Sequence, residues 1–514
     1  MQLQSLLDDV PGARLSGDPA TNVRGLAYDS RAVEPGFLFA ALQGQRIDGN
    51  DFVEQAAERG AVAVLSSRPG PRRPQGIAWV QVEDDRLGLA RVSRNYYGRP
   101  DERLTMIGVT GTNGKTTVCF LLEAILKEAG RRPCLLGTVL YRCGRDEVRA
   151  ERTTPESLDL HRLLDRFATA GARSCAMEVS SHSLVLRRVA GIAFAAGIFT
   201  NLTQDHLDFH RTMEDYLEAK AILFRGLAPQ AIAVLNADDP HAQHLRAATR
   251  ARVVTFGEGP EADVRLVSFH PGARGSTLAL EIAAGIEGPG AAGGRLSIDC
   301  RLLGRPNARN AAAAAAACLA LGVPREAIAR GLAAVDGVPG RFERIDEGEP
   351  FRVLVDYAHT EDALANLLAA VRELQPRRII TVFGCGGDRD RTKRPRMGFA
   401  AASGSDVVVV TSDNPRGERP MAIIEEILPG VRRALSGDPG AEPPPDRCLV
   451  IPDRKEAIRA ALALARPDDC VVIAGKGHET YQILGDRTVP FDDREVTREI
   501  LRGRGRENRG RAAR

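Results

Sequence analysis

Short apolar segments followed by polar, glycine-containing loops recur along most of the chain. After residue 104 the pattern predicts strands at 106–109, 174–179, 192–200 and 231–236, with a helix at 118–129 and another in the alanine run at 311–318. Apolar strands that alternate with amphipathic helices are typical of a mostly parallel sheet covered by helices. The sequence therefore predicts an α/β protein.

Changes in this pattern divide the 514 residues into three expected domains and a tail. We expect a small N-terminal α/β domain over 1–100 and a central P-loop domain with a mostly parallel sheet over 101–337. A doubly wound α/β domain is expected over 338–500. The last segment, 501–514, carries six arginines and one glutamate. A segment so charged and so poor in apolar residues predicts a disordered tail.

Composition excludes several classes of function. The formal net charge is only +3 and aromatic residues make up 5%, which argues against nucleic-acid binding. The longest apolar run, 311–323, is too short to span a bilayer, so no membrane insertion is expected. Nine cysteines without any C-x-x-C spacing are typical of reduced thiols. We expect a cytoplasmic protein and a monomer.

The segment GVTGTNGKTT, residues 108–117, lies between a predicted strand and a predicted helix. Glycines allow backbone N–H groups to surround phosphate oxygens, Lys115 supplies an ammonium, and Thr116 supplies a hydroxyl for Mg²⁺. Val109 stands where the standard G-x-x-x-x-G-K-[ST] motif has its first glycine. Only six of the 70 lysines and arginines are lysine, which makes each lysine a stronger candidate for a functional role. This segment predicts ATP binding.

Two further candidates follow strands of the same predicted sheet. Glu178 ends one strand, and His206 comes shortly after another. Because the carboxyl ends of parallel strands meet at one edge, both side chains are expected in the crevice beside the phosphates, where they suit a second Mg²⁺. The alternative is that Glu178 pairs with an arginine and His206 caps a loop.

Lys220 lies in an otherwise acidic and apolar helix, MEDYLEAKAILF. From the residues alone, a surface lysine is the favoured interpretation. Beyond residue 340, four apolar strands each run into a polar loop, at 356–359, 384–391, 412–416 and 475–479. Ligands of doubly wound domains bind at such strand ends, so these loops predict a second binding face.

With its TGTNGKT segment and these loops, the chain resembles the Mur ligase superfamily over nearly its whole length. The tail and the glycine-rich insertion at 285–294 are the exceptions. The resemblance implies an ATP-dependent amide ligase of peptidoglycan precursor synthesis, and in particular the members that use meso-2,6-diaminopimelate. Such an enzyme phosphorylates the D-glutamate γ-carboxylate of UDP-N-acetylmuramoyl-L-Ala-D-Glu. The amine of diaminopimelate then attacks the acyl phosphate, and the third domain must close onto the second.

The resemblance assigns roles residue by residue. Catalysis falls to Lys115, Glu178, His206 and Lys220, and Mg²⁺ to Thr116, Glu178, His206 and Lys220, with Lys220 carbamylated so that its charge is inverted. ATP contacts are implied at Gly111, Thr112, Asn113, Gly114, Lys115, Thr116, Thr117, Asn310, Arg341 and Asp356. The sugar-peptide is assigned to Ser30, Thr153, Thr154, Ser180 and Arg188, whereas Leu186 stands where some members have Gln. The amino acid is assigned to Arg389, Asp413, Asn414, Pro415, Arg416, Gly475 and Glu479.

Alternatives remain open at this point. Arg341 and Asp356 could form a surface ion pair, and residues 413–416 could be a plain Asn-Pro turn. Rival functions are a ligase that adds D-Ala-D-Ala or L-lysine, a folylpolyglutamate synthase, and a nucleotide-regulated binding protein without catalysis. Folylpolyglutamate synthases place the phosphate segment close to the N-terminus, whereas about one hundred residues precede it here.

Overall fold

The computed structural model describes residues 1–44, 47–69, 74–272, 275–288 and 290–512. Three larger sheets organise this part of the chain, in sequence order. The first has five strands in the order β1-β5-β4-β3-β2 and is parallel except for β1. Its strands are β1 (Arg14–Ser16), β2 (Gly25–Ala27), β3 (Phe37–Ala40), β4 (Ala63–Ser66) and β5 (Ala78–Gln81), and its helices are α1 (Leu3–Leu6), α2 (Val53–Glu58) and α3 (Asp85–Tyr96).

The second sheet has eleven strands in the order β16-β15-β14-β13-β12-β11-β6-β10-β7-β8-β9. Its middle, from β14 to β7, is parallel, and antiparallel strands extend both edges. The strands are β6 (Thr105–Thr110), β7 (Pro133–Leu136), β8 (Leu140–Cys143), β9 (Asp146–Arg149), β10 (Ser174–Glu178), β11 (Phe194–Phe199), β12 (Ile232–Asn236), β13 (Arg252–Gly257), β14 (Val264–Pro271), β15 (Ser276–Ile282) and β16 (Gly294–Cys300).

Helices cover this sheet on both faces. They are α4 (Lys115–Glu128), α5 (Ser157–Thr169), α6 (Ser181–Val185), α7 (Leu207–His210), α8 (Met213–Arg225), α9 (Ala242–Ala248), α10 (Arg305–Ala320) and α11 (Arg325–Ala333). The alanine run lies in α10, whose small side chains are buried against α4 and the sheet. Two apolar clusters, one on each face of the sheet, form the core of this region.

The third sheet has six strands in the order β17-β18-β22-β19-β20-β21, with only β17 antiparallel. Its strands are β17 (Glu343–Ile345), β18 (Arg352–Asp356), β19 (Ile379–Phe383), β20 (Val407–Val410), β21 (Cys448–Val450) and β22 (Cys470–Ala474), followed by the hairpin β23 (Tyr481–Leu484) and β24 (Arg487–Pro490). The helices are α12 (Glu361–Glu373), α13 (Lys393–Gly404), α14 (Pro420–Ser436), α15 (Arg454–Leu464) and α16 (Asp493–Ala512). The predicted α/β class with mostly parallel sheets is confirmed, whereas the predicted domain boundaries stay a prediction.

The structure differs from the sequence prediction at the start of the tail. Helix α16 runs through residues that were expected to be disordered from 501 onward. Leu501 is 1% exposed and packs in the apolar cluster of β18, β22 and α15, and Arg502 pairs with Glu347. The charge-rich composition did not predict this helix, because its apolar contacts come from only a few residues on one face.

Two observations bear on other expectations from composition. All nine cysteines are free thiols, and all but Cys143 are buried. Within the described ranges, no helix is long and apolar enough to cross a membrane.

His161 on α5 is a buried histidine in the contact between α3 and α5. Neither of its ring nitrogens has a hydrogen-bond partner among the described residues. It lies near the buried ion pair of Arg94 and Asp101, whose closest atoms are 2.9 Å apart. Burial lowers the pKa of His161 from 6.5 to about 4, so the folded protein keeps the ring neutral.

We expect this histidine to weaken folding in acid. An unfolded chain takes up the proton near pH 6.5, so the contribution is complete above that pH and is lost as pH falls toward 4. Between about pH 7.5 and about pH 4.5, the wild type should lose about 2 to 3 kcal/mol more unfolding free energy than His161→Leu. Urea unfolding at both pH values measures this, with the exposed His270→Leu as control. Equal losses of unfolding free energy in the wild type and in His161→Leu would contradict this expectation.

Candidate functional site

The phosphate segment connects β6 to the first turn of α4. Gly111 and Gly114 have φ of 146° and 90°, a region that favours glycine. A Cβ at Gly111 would collide with Thr200 Oγ1, and one at Gly114 with Asn310 Oδ1. Asn310, on the distant α10, therefore lies against this loop, and the loop has room for glycine only. The backbone N–H groups at the start of α4 make this an anion-binding end of a helix.

Lys115 and Thr116 stand at that helix end. The ammonium of Lys115 donates to the carbonyls of Gly111 and Thr112, at 2.9 and 2.8 Å, so it lies over its own loop. Burial lowers the pKa of Lys115. Thr116 is buried, and its hydroxyl accepts a hydrogen bond from Arg341 Nη2 at 3.4 Å. Of the three remaining positions of this segment with predicted ATP contacts, Thr112 and Asn113 lie in the same loop and Thr117 lies in the first turn of α4.

Glu178 ends β10 beside this loop and is 1% exposed. Its Oε1 accepts from the Thr138 backbone N–H at 2.7 Å, and its Oε2 accepts from the Thr138 hydroxyl at 3.0 Å. Among the described residues no arginine lies within ion-pair distance of it, so the arginine-paired alternative is wrong. Thr138 was not identified from the sequence, because a threonine in an edge loop carries no distinctive pattern.

Lys220 is buried in α8, with 1% of its surface exposed. Its Nζ lies 4.1 Å from the ring centroid of Tyr216, whose hydroxyl is 3.2 Å from Thr112 Oγ1 in the phosphate loop. Burial, reinforced by the charge of Lys115, lowers the pKa of Lys220 well below its usual value. The surface-lysine interpretation is wrong, because tertiary packing closes over the side chain.

His206 lies next to Lys220 in a small aromatic cluster. Its ring centroid is 4.8 Å from that of His182 and 6.0 Å from that of Tyr216. Partial burial lowers the pKa of His206 to about 4, which leaves the imidazole neutral, as a metal ligand must be. His210 stacks on Tyr216 and shares a hydrogen bond of 2.8 Å with Ser181 Oγ. Tyr216, His182 and His210 were not among the site residues predicted from the sequence.

No group of three or more His, Cys, Asp or Glu that could hold a metal ion occurs in the described residues. Thr116, Glu178 and His206 supply one donor side chain each near the phosphate loop. Mg²⁺ commonly takes one or two protein ligands and completes its coordination with phosphate oxygens and water. The donor set therefore suits Mg²⁺ bound together with a nucleotide, and does not suit a cation held by protein alone.

The third sheet reaches this site through the segment around residues 340–359. Arg341 extends to Thr116 while its guanidinium lies 4.5 Å from the Tyr357 ring centroid. Asp356 Oδ2 accepts from the Phe342 backbone N–H at 2.6 Å, and burial raises the pKa of this carboxyl. Arg341 and Asp356 are thus not a surface ion pair: they hold the connection between the second and third sheets beside the ATP loop.

Four residues assigned to the sugar-peptide lie together beside Glu178. The Thr154 hydroxyl donates to the Glu178 carbonyl at 2.8 Å and accepts from the Ser180 backbone N–H at 3.2 Å. Arg188 donates to the Thr154 carbonyl at 3.2 Å, and the hydroxyl oxygens of Thr153 and Thr138 are 3.1 Å apart. Ser30 lies apart in the N-terminal region, where its hydroxyl donates to Gln55 Oε1 at 2.6 Å. Leu186 ends α6.

The residues assigned to the amino acid belong to three loops, which follow the carboxyl ends of β19, β20 and β22. Asn414 Nδ2 donates to Glu479 Oε2 at 2.9 Å, which joins two of these loops. A Cβ at Gly475 would stand 2.7 Å from Asp413 Oδ2, so the same two loops are in close contact there. Pro415 is buried beside them.

The two arginines of this group differ. Arg416 Nη1 donates to the Gly387 carbonyl at 2.9 Å, which ties its loop to the one after β19. Arg389 is exposed on that same loop, and a Cβ at Gly386 would stand 2.8 Å from Arg416 Nη1 and 3.7 Å from Arg389 Cγ. Both guanidinium side chains therefore border one small region.

Comparisons with known proteins agree with this architecture. Residues 22–97 match the Mur ligase family catalytic domain, residues 109–318 the Mur ligase middle domain, and residues 340–477 the glutamate ligase domain of Mur ligases. A protein from Solibacter usitatus, named UDP-N-acetylmuramoyl-L-alanyl-D-glutamate--2,6-diaminopimelate ligase, is 48% identical over 94% of both chains. A protein of the same name from Geobacter metallireducens is 45% identical over 96% of this chain and 97% of its own.

Solved structures extend the likeness to three dimensions. A structure of a ligase of that name superposes with a TM-score of 0.68 and 31% identity, covering 98% of this chain and 99% of the other. A MurF ligase from Thermotoga maritima in complex with ADP superposes with a TM-score of 0.62 at 20% identity, covering 94% and 99%. At that identity the second likeness concerns the fold alone.

Proposed function

The chain belongs to the Mur ligase family, and on this premise we propose that it is the ATP-dependent ligase that adds meso-2,6-diaminopimelate to UDP-N-acetylmuramoyl-L-Ala-D-Glu. Relatives that are 48% and 45% identical over nearly the whole chain carry the name of this activity. The observation that carries the proposal is the contact of Arg341 with Thr116, 3.4 Å apart. This contact brings the segment before β17 to the phosphate loop, which supports a ligation between substrates bound at the second and third sheets.

The first step transfers the γ-phosphate of ATP to the D-glutamate γ-carboxylate. A carboxylate oxygen attacks the γ-phosphorus and ADP leaves, which turns a poor acyl donor into an acyl phosphate with a good leaving group. Lys115 is the ammonium that offsets phosphate charge, and the N-terminus of α4 adds its dipole. Thr154 donates to the backbone carbonyl of Glu178, and Ser180 and Arg188 donate to Thr154, so these three residues suit the orientation of the peptide end of the acceptor.

Mg²⁺ would be held by Thr116 and Glu178, with His206 and a modified Lys220 beside it, and when bound it neutralises the phosphate charge that builds up during transfer. A lysine of low pKa is present as a neutral amine, which is the form that reacts with CO₂. The amine nitrogen forms a C–N bond to the carbon of CO₂ and loses one proton, so a neutral amine becomes an anionic carbamate. Burial of Lys220 thus supports the carbamate that the family resemblance implies.

The second step is attack of an amine of diaminopimelate on the acyl carbon, with phosphate as the leaving group. Arg416 and Arg389 suit the distal carboxylate because a planar guanidinium can donate two parallel hydrogen bonds. Asp413 and Glu479 suit ammonium groups. ATP and the reduced cysteines suit a cytoplasmic reaction.

A substrate panel tests this proposal directly. The purified protein is supplied with ATP, Mg²⁺ and UDP-N-acetylmuramoyl-L-Ala-D-Glu, and ADP release is measured with meso-diaminopimelate, L-lysine, L-ornithine or D-Ala-D-Ala. We expect ADP release only with meso-diaminopimelate. Turnover with another amino acid would reassign the substrate, and nucleotide binding without ADP release would indicate a non-catalytic binding protein.

Glu178→Gln and His206→Ala should raise the Mg²⁺ concentration needed for half-maximal turnover. Loss of one donor near the phosphates should lower kcat by about 100-fold while changing the ATP dissociation constant by less than about fivefold. Magnesium titrations of turnover, together with nucleotide binding, measure both effects. His270→Ala serves as the control, because His270 is an exposed histidine in β14. Unchanged metal dependence in both variants would assign them structural roles.

A further inference from the structure

Lys476 is a buried lysine in the loop after β22, to which no step described above assigns a role. Its side chain is 0% exposed. Its Nζ donates to Glu479 Oε2 at 2.9 Å and to Asn414 Oδ1 at 3.2 Å, and lies 5.5 Å from the Tyr481 ring centroid. Burying an ammonium costs several kcal/mol unless it is paired, so this lysine needs the partners it has.

Both partners belong to the loops that we assign to diaminopimelate. Glu479 Oε2 accepts from Lys476 and also from Asn414 Nδ2 at 2.9 Å. Glu479 Oε1 takes part in neither bond. Asn414 Oδ1 also accepts from the Ile483 backbone N–H at 3.0 Å, which ties the hairpin β23–β24 to the same group. One ammonium thus joins the loops after β20 and β22.

We propose that Lys476 is a positioning residue for amino-acid recognition, which holds Glu479 and Asn414 so that Glu479 Oε1 can receive an ammonium of the amino-acid substrate. The inference rests on the proposed function, because it concerns the same amino-acid loops. Lys476 does not itself contact substrate and acts through these two residues. Glu479 and Asp413 both lie close to Tyr481, whose pKa is raised by burial and, in addition, by the charge of each carboxylate. The buried Arg454 also acts on both carboxylates, but it hydrogen-bonds to Asp493. Lys476 is the cation that hydrogen-bonds to Glu479 Oε2 and holds this carboxylate in place.

The backbone around Lys476 is confined, so the ammonium position is set by the fold. Gly475 and Gly477 have φ of 116° and 53°. A Cβ at Gly475 would meet Asp413 at 2.7 Å, and one at Gly477 would meet Tyr357 Cβ at 2.7 Å. A lysine, a compact charge on a flexible stem, reaches two acceptors in this space where the wider guanidinium of arginine would not.

Steady-state kinetics of Lys476→Met test the proposal. The KM for meso-diaminopimelate should rise about 10- to 100-fold, whereas the KM for ATP and for the sugar-peptide should change by less than about twofold. Lys455→Met is the matched control, since Lys455 is a half-buried lysine at the start of α15 that pairs with Glu499 at 3.0 Å. If Lys476→Met fails to fold, Lys476→Gln replaces it, because an amide keeps a donor for the same acceptors.

A double-mutant cycle separates positioning from general stability. If Lys476 acts through Glu479, the double variant with Glu479→Gln should raise the KM for diaminopimelate no more than Glu479→Gln alone. An unchanged KM in Lys476→Met, additive effects in the cycle, or an equal rise of all three KM values would overturn the inference. Failure of the proposed function is recognised separately: the wild type would then release no ADP in response to meso-diaminopimelate, and the inference would fall with it.

Discussion

Lys220→Ala and Lys220→Arg are both expected to reduce ligation by about 1000-fold or more. Alanine removes the amine that would carry the carbamate. Arginine cannot form a carbamate and places a permanent cation in a buried position near Lys115, where Mg²⁺ and phosphate must bind. ADP release under saturating substrates measures the loss. Lys127→Ala, an exposed lysine on α4, should keep wild-type turnover.

Rescue distinguishes loss of the carbamate from loss of folding. A short carboxylic acid such as acetate should restore part of the turnover of Lys220→Ala, because its carboxylate can enter the vacated space and supply an oxygen ligand. It should not restore Lys220→Arg, whose side chain still fills that space. Near-normal turnover of the arginine variant would exclude a role for the carbamate.

Arg416→Ala should cost about 2–5 kcal/mol in kcat/KM for meso-diaminopimelate. In the structure its guanidinium donates to the Gly387 carbonyl at 2.9 Å, a neutral partner that a substrate carboxylate would replace or supplement. The ATP dissociation constant should hardly change, since Arg416 contacts the amino-acid loops and no part of the phosphate loop. Arg396→Ala, which removes an exposed arginine paired with Glu361, should retain wild-type kinetics.

The wild type should also prefer meso-diaminopimelate over L-lysine by several orders of magnitude, because lysine lacks the distal carboxylate and leaves a guanidinium without a charged partner. Arg416→Ala should narrow this preference mainly by losing activity on diaminopimelate. Thermal unfolding of the variant shows whether the lost bond to Gly387 destabilises the loop. Equal kcat/KM values for the two amino acids in the wild type would mean that residues 413–416 form only a turn.

The phosphate loop could be predicted from the sequence because its chemistry is local. Gly114, Lys115 and Thr116 are neighbours in the chain, and the strand and helix around them follow from apolar periodicity. The position of Glu178 could be predicted for a similar reason, since a polar residue that ends a buried strand lies at the carboxyl edge of the sheet. The interpretation of Lys220 failed from residues alone, because a lysine with acidic neighbours is equally common on a surface.

The sequence by itself determined the fold class, the ATP loop and, through its family resemblance, the type of ligase. These depend on periodicity and on contiguous motifs, which are properties of short stretches of chain. Tertiary structure alone decided that Lys220 is buried beside Tyr216, that Lys476 joins Glu479 to Asn414, and that Leu501 packs in a helix where a disordered tail was expected. Burial and pairing depend on side chains tens to hundreds of residues away, and no local pattern reports which of these will arrive.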